Sequence, residues 1–174
     1  GDAHYQEADA QSLPFERGRF DLAVSQFGVM FLPEPATGVA EMARVAARGL
    51  IAVWDSIERS EGYTAMQQLF RDELGDEAAA SLDAPFSMGR DGVLEDIVST
   101  GGVADASFTR ISGTGRFATV GEWVQTEVRG WTLGESVTDD RLAALIEVAE
   151  SRLGRFRSAT GCAFGRGVRI ASWG

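Results

Sequence analysis

Two apolar runs of strand length, Phe20-Asp21-Leu22-Ala23-Val24-Ser25-Gln26 and Leu50-Ile51-Ala52-Val53-Trp54, flank a stretch with the period of a helix. That stretch, residues 36–48, sets Val39, Ala40, Met42, Ala43, Val45 and Ala46 on one face. Pro33 and Pro35 suit its start, and Gly49 suits its stop. The second run lies between Gly49 and Asp55 and carries no charge, the pattern of a strand covered on both faces. Strand, helix and strand in that order predict a crossover unit with parallel strands, and so an α/β domain.

The flanking segments extend this plan. Residues 5–9 suit a short strand end, followed by a loop over 11–18 that contains Leu13-Pro14-Phe15. Residues 61–82 have a helical period, with Met66, Leu69, Phe70 and Leu74 on one face. Asp91 is placed to cap a helix carrying Val93, Leu94, Ile97 and Val98, which Gly101-Gly102 ends. Alternation over 104–112 predicts a strand with Phe108 and Ile111 buried. Residues 120–131 and 139–157 are helical by period, and a last strand runs over 162–173.

Composition narrows the function. A chain of 174 residues can bury one substantial core, so a single domain over 1–174 is expected. Acidic residues outnumber basic ones 26 to 16, giving a net charge of −10. That balance argues against a nucleic-acid backbone or an anionic membrane as partner. Cys162 is the only cysteine, so no intramolecular disulfide forms, and a reducing, cytoplasmic location is expected. Flanked by Gly161 and Ala163, it reads as a small buried residue. No His/Cys/carboxylate cluster has metal-ligand spacing, and the lone histidine, His4, reads as solvent-exposed.

The segment Ala8-Asp9-Ala10-Gln11-Ser12-Leu13-Pro14-Phe15, followed by Phe20-Asp21-Leu22 and Gln26-Phe27-Gly28, closely resembles the class I S-adenosylmethionine-dependent methyltransferases. The nearest likeness is to the small-molecule, quinone-biosynthesis-like branch. Glu41-Met42-Ala43-Arg44-Val45 and the strand ending in Trp54-Asp55 resemble the next stretch of the same family. Phe117 through Leu133, which includes Glu127 to Leu133, resembles a later helical region of some members. The resemblance implies a Rossmann-like sheet with a helical insertion and closing antiparallel strands. It implies S-adenosylmethionine as cofactor and a small-molecule methyl acceptor. Asp9 would accept a hydrogen bond from the adenine amino group, and the Ala10 N–H would face the ring. Gln26 and Phe27 would line the cofactor at the end of the family's fourth strand, with the Phe27 ring either on the adenine or near the sulfonium, since an aromatic face attracts a cation. Asp21 takes a structural part in this reading, and Trp54 and Asp55 are minor candidates near the acceptor. The catalytic group is not assigned.

Two departures from the family pattern matter. No strand with a glycine-rich turn and a following acid precedes Asp9, and Gly113-Thr114-Gly115 and Gly165-Arg166-Gly167 lie among the closing strands. Where the family has Pro-Gly-Gly before its fifth strand, this sequence has Ala47-Arg48-Gly49. The expectation is therefore an N-terminally truncated methyltransferase sheet lacking its first strands, inactive in isolation. The alternatives are a non-catalytic binding or scaffold remnant of the fold, and an α/β domain of other chemistry. The strand over 20–26 would then present an open edge, which predicts a homodimer.

Overall fold

The computed structural model describes residues 3–130, 133–134 and 136–174. In chain order the regular elements begin with β1 (Phe20–Gln26), α1 (Pro35–Val45) and β2 (Ala46–Trp54). Four helices and a strand follow: α2 (Glu61–Leu74), α3 (Asp76–Asp83), α4 (Val93–Thr100), β3 (Ser107–Phe117) and α5 (Val120–Arg129). The chain ends with α6 (Asp139–Arg152), β4 (Arg157–Ser158) and β5 (Gly161–Trp173). The sheet order is β1-β2-β5-β3, with β4 on β5. This is the mixed α/β architecture, with an open sheet, that the sequence predicts.

Two compact units divide the chain. The first is Gly1–Trp54, Met88–Ile111 and Val168–Gly174, and the second is Asp55–Ser87 and Ser112–Gly167. In the first unit β1 runs parallel to β2, with Val24 opposite Leu50, as a crossover requires. On its other side β2 pairs antiparallel with β5, with Gly49 opposite Trp173. Val39 of α1, Leu94 and Val98 of α4, and Ile51, Val53 and Ala171 of the sheet are fully buried together. The second unit packs an aromatic cluster, in which the rings of Trp123 and Phe164 stack with centroids 4.2 Å apart.

Several local expectations are corrected. Helix α1 stops at Val45, and Ala46, Ala47 and Arg48 belong to β2. Ala46 is already extended, and its N–H donates back to the Met42 carbonyl. Gly49 is no helix stop. It sits inside β2 beneath the Trp173 indole, where a Cβ would lie 2.0 Å from Cζ2. Residues 5–9 form no strand, and Tyr5 stands in solvent. The helix expected over 61–82 is two helices, because Gly75 between them adopts φ +103°, which L side chains rarely adopt. Asp91 does not cap α4. Gly92 takes that position with φ +84°, while Asp91 pairs with Arg110 at 2.8 Å. Strand β3 starts later and runs further than alternation over 104–112 suggested, and its Ile111 is exposed.

The Gly49 contact generates a prediction. Gly49→Ala drives a methyl group into the Trp173 ring, and overpacking of this kind costs about 1–3 kcal/mol. The expected result in thermal denaturation is a lowered melting temperature, with a smaller loss for the same substitution in a Trp173→Leu background. An equal loss in both backgrounds would place the strain elsewhere.

Candidate functional site

In open α/β sheets, ligands lie in the crevice beyond the carboxyl ends of the parallel strands. Here β1 and β2 end in Gln26 and Trp54. Gln26 is exposed. Phe27, next in the chain, is the one non-glycine residue with positive φ (+59°) among the described residues. For an L residue with a Cβ this conformation costs about 1–2 kcal/mol. Two contacts hold it: the Phe27 N–H donates to the Ala52 carbonyl at 2.8 Å, and the ring stacks on Trp54 at 3.6 Å and 13°. The short helical turn Val29–Phe31 follows at once, its first N–H donating to Ser25 Oγ at 3.1 Å.

The loop before β1 is tied to α1. Asp9 is exposed and turns the chain: its Oδ1 accepts from the Gln11 N–H at 2.8 Å, and its carbonyl accepts from the Ser12 N–H at 3.0 Å. This is the turn-forming use of an aspartate. Gln11 Oε1 accepts from the Glu34 N–H at 2.7 Å, at the helix start. Glu41 Oε2 accepts from the Leu13 N–H at 2.7 Å. Arg44 donates to the Phe15 carbonyl at 2.6 Å and to the Leu13 carbonyl at 2.9 Å. The two side chains also pair with each other, Arg44 Nε to Glu41 Oε1 at 2.6 Å and Nη2 to Oε2 at 2.7 Å. The hydrogen bond from Arg44 holds the Glu41 carboxyl below its usual range, partial burial opposes this, and the Leu13 amide adds to the lowering. Glu41 and Arg44 belong to the motif noted in the sequence, but their grip on the loop carried no signal beyond helical spacing.

The structure brings the expected residues into one neighbourhood only in part. Ala10 lines a groove together with Ser25 and Gly28, which flank Gln26 and Phe27. Asp9 lies one residue outside that lining, in its own turn. Among the minor candidates, Trp54 carries the Phe27 ring. Asp55, in the second unit, is buried, and its Oδ1 accepts from the Ser56 N–H at 2.9 Å, with Arg59 at 3.9 Å. His4 is exposed. Cys162 is buried, which pushes its thiol pKa up and leaves it a poor nucleophile.

The second unit holds a polar cluster that the sequence did not reveal. Tyr63 Oη donates to Glu127 Oε1 at 2.7 Å, both residues buried, and the Arg166 guanidinium lies 5.1 Å from the Tyr63 ring centroid. Burial first, and the Glu127 carboxylate second, push the Tyr63 phenol far above its ordinary range. No group of three or more potential metal ligands gathers among the described residues, and no described helix is long and apolar enough to cross a membrane.

The sequence profile of a methyltransferase domain family matches residues 1–53. An uncharacterised protein of Mycobacterium tuberculosis is 47% identical over 45 residues, which cover 26% of this chain and 16% of that protein. The chloroplastic tocopherol O-methyltransferase of Arabidopsis thaliana is 41% identical over 68 residues, covering 37% of this chain and 20% of the enzyme. These likenesses fall on the N-terminal part of the chain, and residues 1–53 carry the sequence pattern of a methyltransferase domain. A crystal structure of a candidate methyltransferase from Bacillus halodurans superposes with a TM-score of 0.57 at 14% identity. That superposition covers 97% of this chain and 75% of the other, and it shows the shared fold. The stretches matched in the two relatives are thus a fifth or less of their own lengths.

The Glu41–Arg44 pair sets a pH dependence. A carboxyl whose folded pKa is depressed stabilises the folded loop fully above its unfolded pKa, about 4.3, and loses that contribution as pH falls through the lower folded value. In an NMR titration the Glu41 carboxyl carbon should show a midpoint below about 4.3, the ordinary glutamate value. The Leu13 amide proton should lose its hydrogen-bonded shift at the same midpoint. A Glu41 midpoint at the ordinary value would contradict the pairing.

Proposed function

We propose that this chain serves the transfer of a methyl group from S-adenosylmethionine to a small-molecule acceptor. The observation that carries this is the strained Phe27, in the stretch that matches the family, stacked on Trp54 just beyond it at the carboxyl ends of β1 and β2. When bound, S-adenosylmethionine supplies an electrophilic methyl group on its sulfonium. The residues present suit its adenine and sulfonium ends. The Asp9 carboxylate uses Oδ1 for the Gln11 amide, and a carboxylate has about four acceptor sites, so capacity remains for an exocyclic amine. The aromatic pair offers a face that attracts a cation. Gln26 adds an exposed amide at the strand end. The work of these groups is binding and orientation, which alone lowers a transfer barrier by fixing the approach of the reactants. The net charge of −10 supports a small acceptor over a nucleic acid.

Calorimetric titration of the full-length protein with S-adenosylhomocysteine tests the assignment. Asp9→Ala should weaken binding by about 1–3 kcal/mol, roughly 5- to 150-fold, with a smaller effect on the melting temperature. Unchanged affinity with a collapsed melting temperature would make Asp9 a turn residue only.

We also propose that a second copy of this chain covers the open edge of the sheet. Among the described residues β1 ends the strand order, and Phe20, Leu22 and Val24 are 39%, 48% and 59% exposed. Beside it runs an apolar groove of about 450 Å³, lined by Leu13, Phe15, Val29, Leu32 and Met42 among others. Such an edge recruits strands. Antiparallel self-pairing about Leu22 sets Phe20 opposite Val24 and Asp21 opposite Ala23, so no like charges face each other and the apolar residues share one face. Light scattering over a hundredfold dilution should show a concentration-dependent dimer that Val24→Lys abolishes. A monomer at every concentration would refute it.

A further inference from the structure

The loop that bears Asp9 and Ala10 has little to hold it by packing. Asp9, Ala10, Ser12, Pro14 and residues 16–19 are exposed, and only Gln11, Leu13 and Phe15 are half-buried. Its conformation is set instead by polar groups of α1. The Glu34 amide holds Gln11, the Glu41 carboxylate holds the Leu13 amide, and the Arg44 guanidinium holds the Leu13 and Phe15 carbonyls. The Arg44 carbonyl takes the Gly18 N–H at 2.9 Å and closes the far end of the loop. Helix α1 is itself rigidly seated, with Val39, Met42 and Val45 buried. Glu41 and Arg44, three residues apart, share one helix face and lock each other through two charge-assisted hydrogen bonds.

We infer that Glu41 and Arg44 are positioning residues, which fix the loop so that Asp9 and Ala10 meet the adenine end of the cofactor. The inference rests on the function proposed above. Neither side chain needs to touch the ligand. Arg44 presents a planar fork to Glu41 and to two carbonyls at once, a geometry that the lysine ammonium does not reproduce.

The test uses the full-length protein and three substitutions, Arg44→Ala, Arg44→Lys and Glu41→Gln. Three properties are read: amide hydrogen exchange over residues 10–18, the Kd of S-adenosylhomocysteine, and the melting temperature. Arg44→Ala should speed exchange at Leu13 and Gly18 and weaken S-adenosylhomocysteine by roughly tenfold or more, since a small displacement of a positioned group is costly. Arg44→Lys should rescue neither. Glu41→Gln keeps an acceptor for the Leu13 amide and should fall between wild type and Arg44→Ala, which also covers the case in which Arg44→Ala does not fold. In a double-mutant cycle, Asp9→Ala should cost less in the Arg44→Ala background than alone, because the two act through one loop. Faster exchange with unchanged affinity, or strictly additive losses, would overturn the positioning role alone. A wild-type protein that does not bind S-adenosylhomocysteine would overturn the proposed function, and the positioning role with it.

Discussion

Strand β2 hydrogen-bonds on both sides, parallel to β1 and antiparallel to β5, and its Gly49 leaves the space in which the Trp173 indole lies. The rest of the first unit depends on that arrangement. With Gly49 opposite Trp173 the register of β5 is fixed, since a slip by one residue would turn every side chain to the other face. The same strand offers the Ala52 carbonyl to the Phe27 amide and ends in the Trp54 ring that Phe27 stacks upon. A central strand thus holds the one non-glycine residue with positive φ among the described residues. The cost at Phe27, about 1–2 kcal/mol, is offset by one backbone hydrogen bond and a stacked aromatic pair of similar total worth.

The crossover unit was legible because its signals are local. Periods of two and of 3.6 can be read within a dozen residues, and the β1 bounds agree with the apolar run. The errors fall where a distant partner decides. Ala46, Ala47 and Arg48 continue the helical period, yet they pair with β1 as strand, with Phe20 opposite Ala46 and Leu22 opposite Arg48. Gly49 beside a helix pattern looks like a terminator until Trp173, 124 positions away, is seen over it. Phe27 gave no sign of its left-handed backbone, because glycine and asparagine are the residues that usually announce one. The pair Glu41 and Arg44 was visible as a motif, while its bonds to Leu13 and Phe15 span 28 to 31 positions.

The second unit follows a different rule. Its core joins Tyr63, Trp123, Phe156 and Phe164 edge-to-face and stacked, and within it lies the Glu127 carboxylate. A buried carboxylate is costly unless bonded, and here the Tyr63 hydroxyl, 64 positions away, donates to it. Neither residue stands out in the sequence, where each fits a helix face as well as an aliphatic residue would. The pairing is a product of the tertiary fold, and such networks favour one packing over its alternatives when their members are bonded.

The candidate site is therefore made of two kinds of part. At the strand ends, Phe27 and Trp54 are held by the sheet itself, and their geometry changes only if β2 moves. At the loop, Asp9 and Ala10 are held through hydrogen bonds on an otherwise exposed segment, which opens more readily than a packed core. A loop held in this way yields more readily than the aromatic pair, which the sheet fixes. The division also explains why the ion pair sits on α1. Helix α1 packs on β2 through Val39 and Met42, so the loop inherits its position from the same strand that positions the aromatic pair.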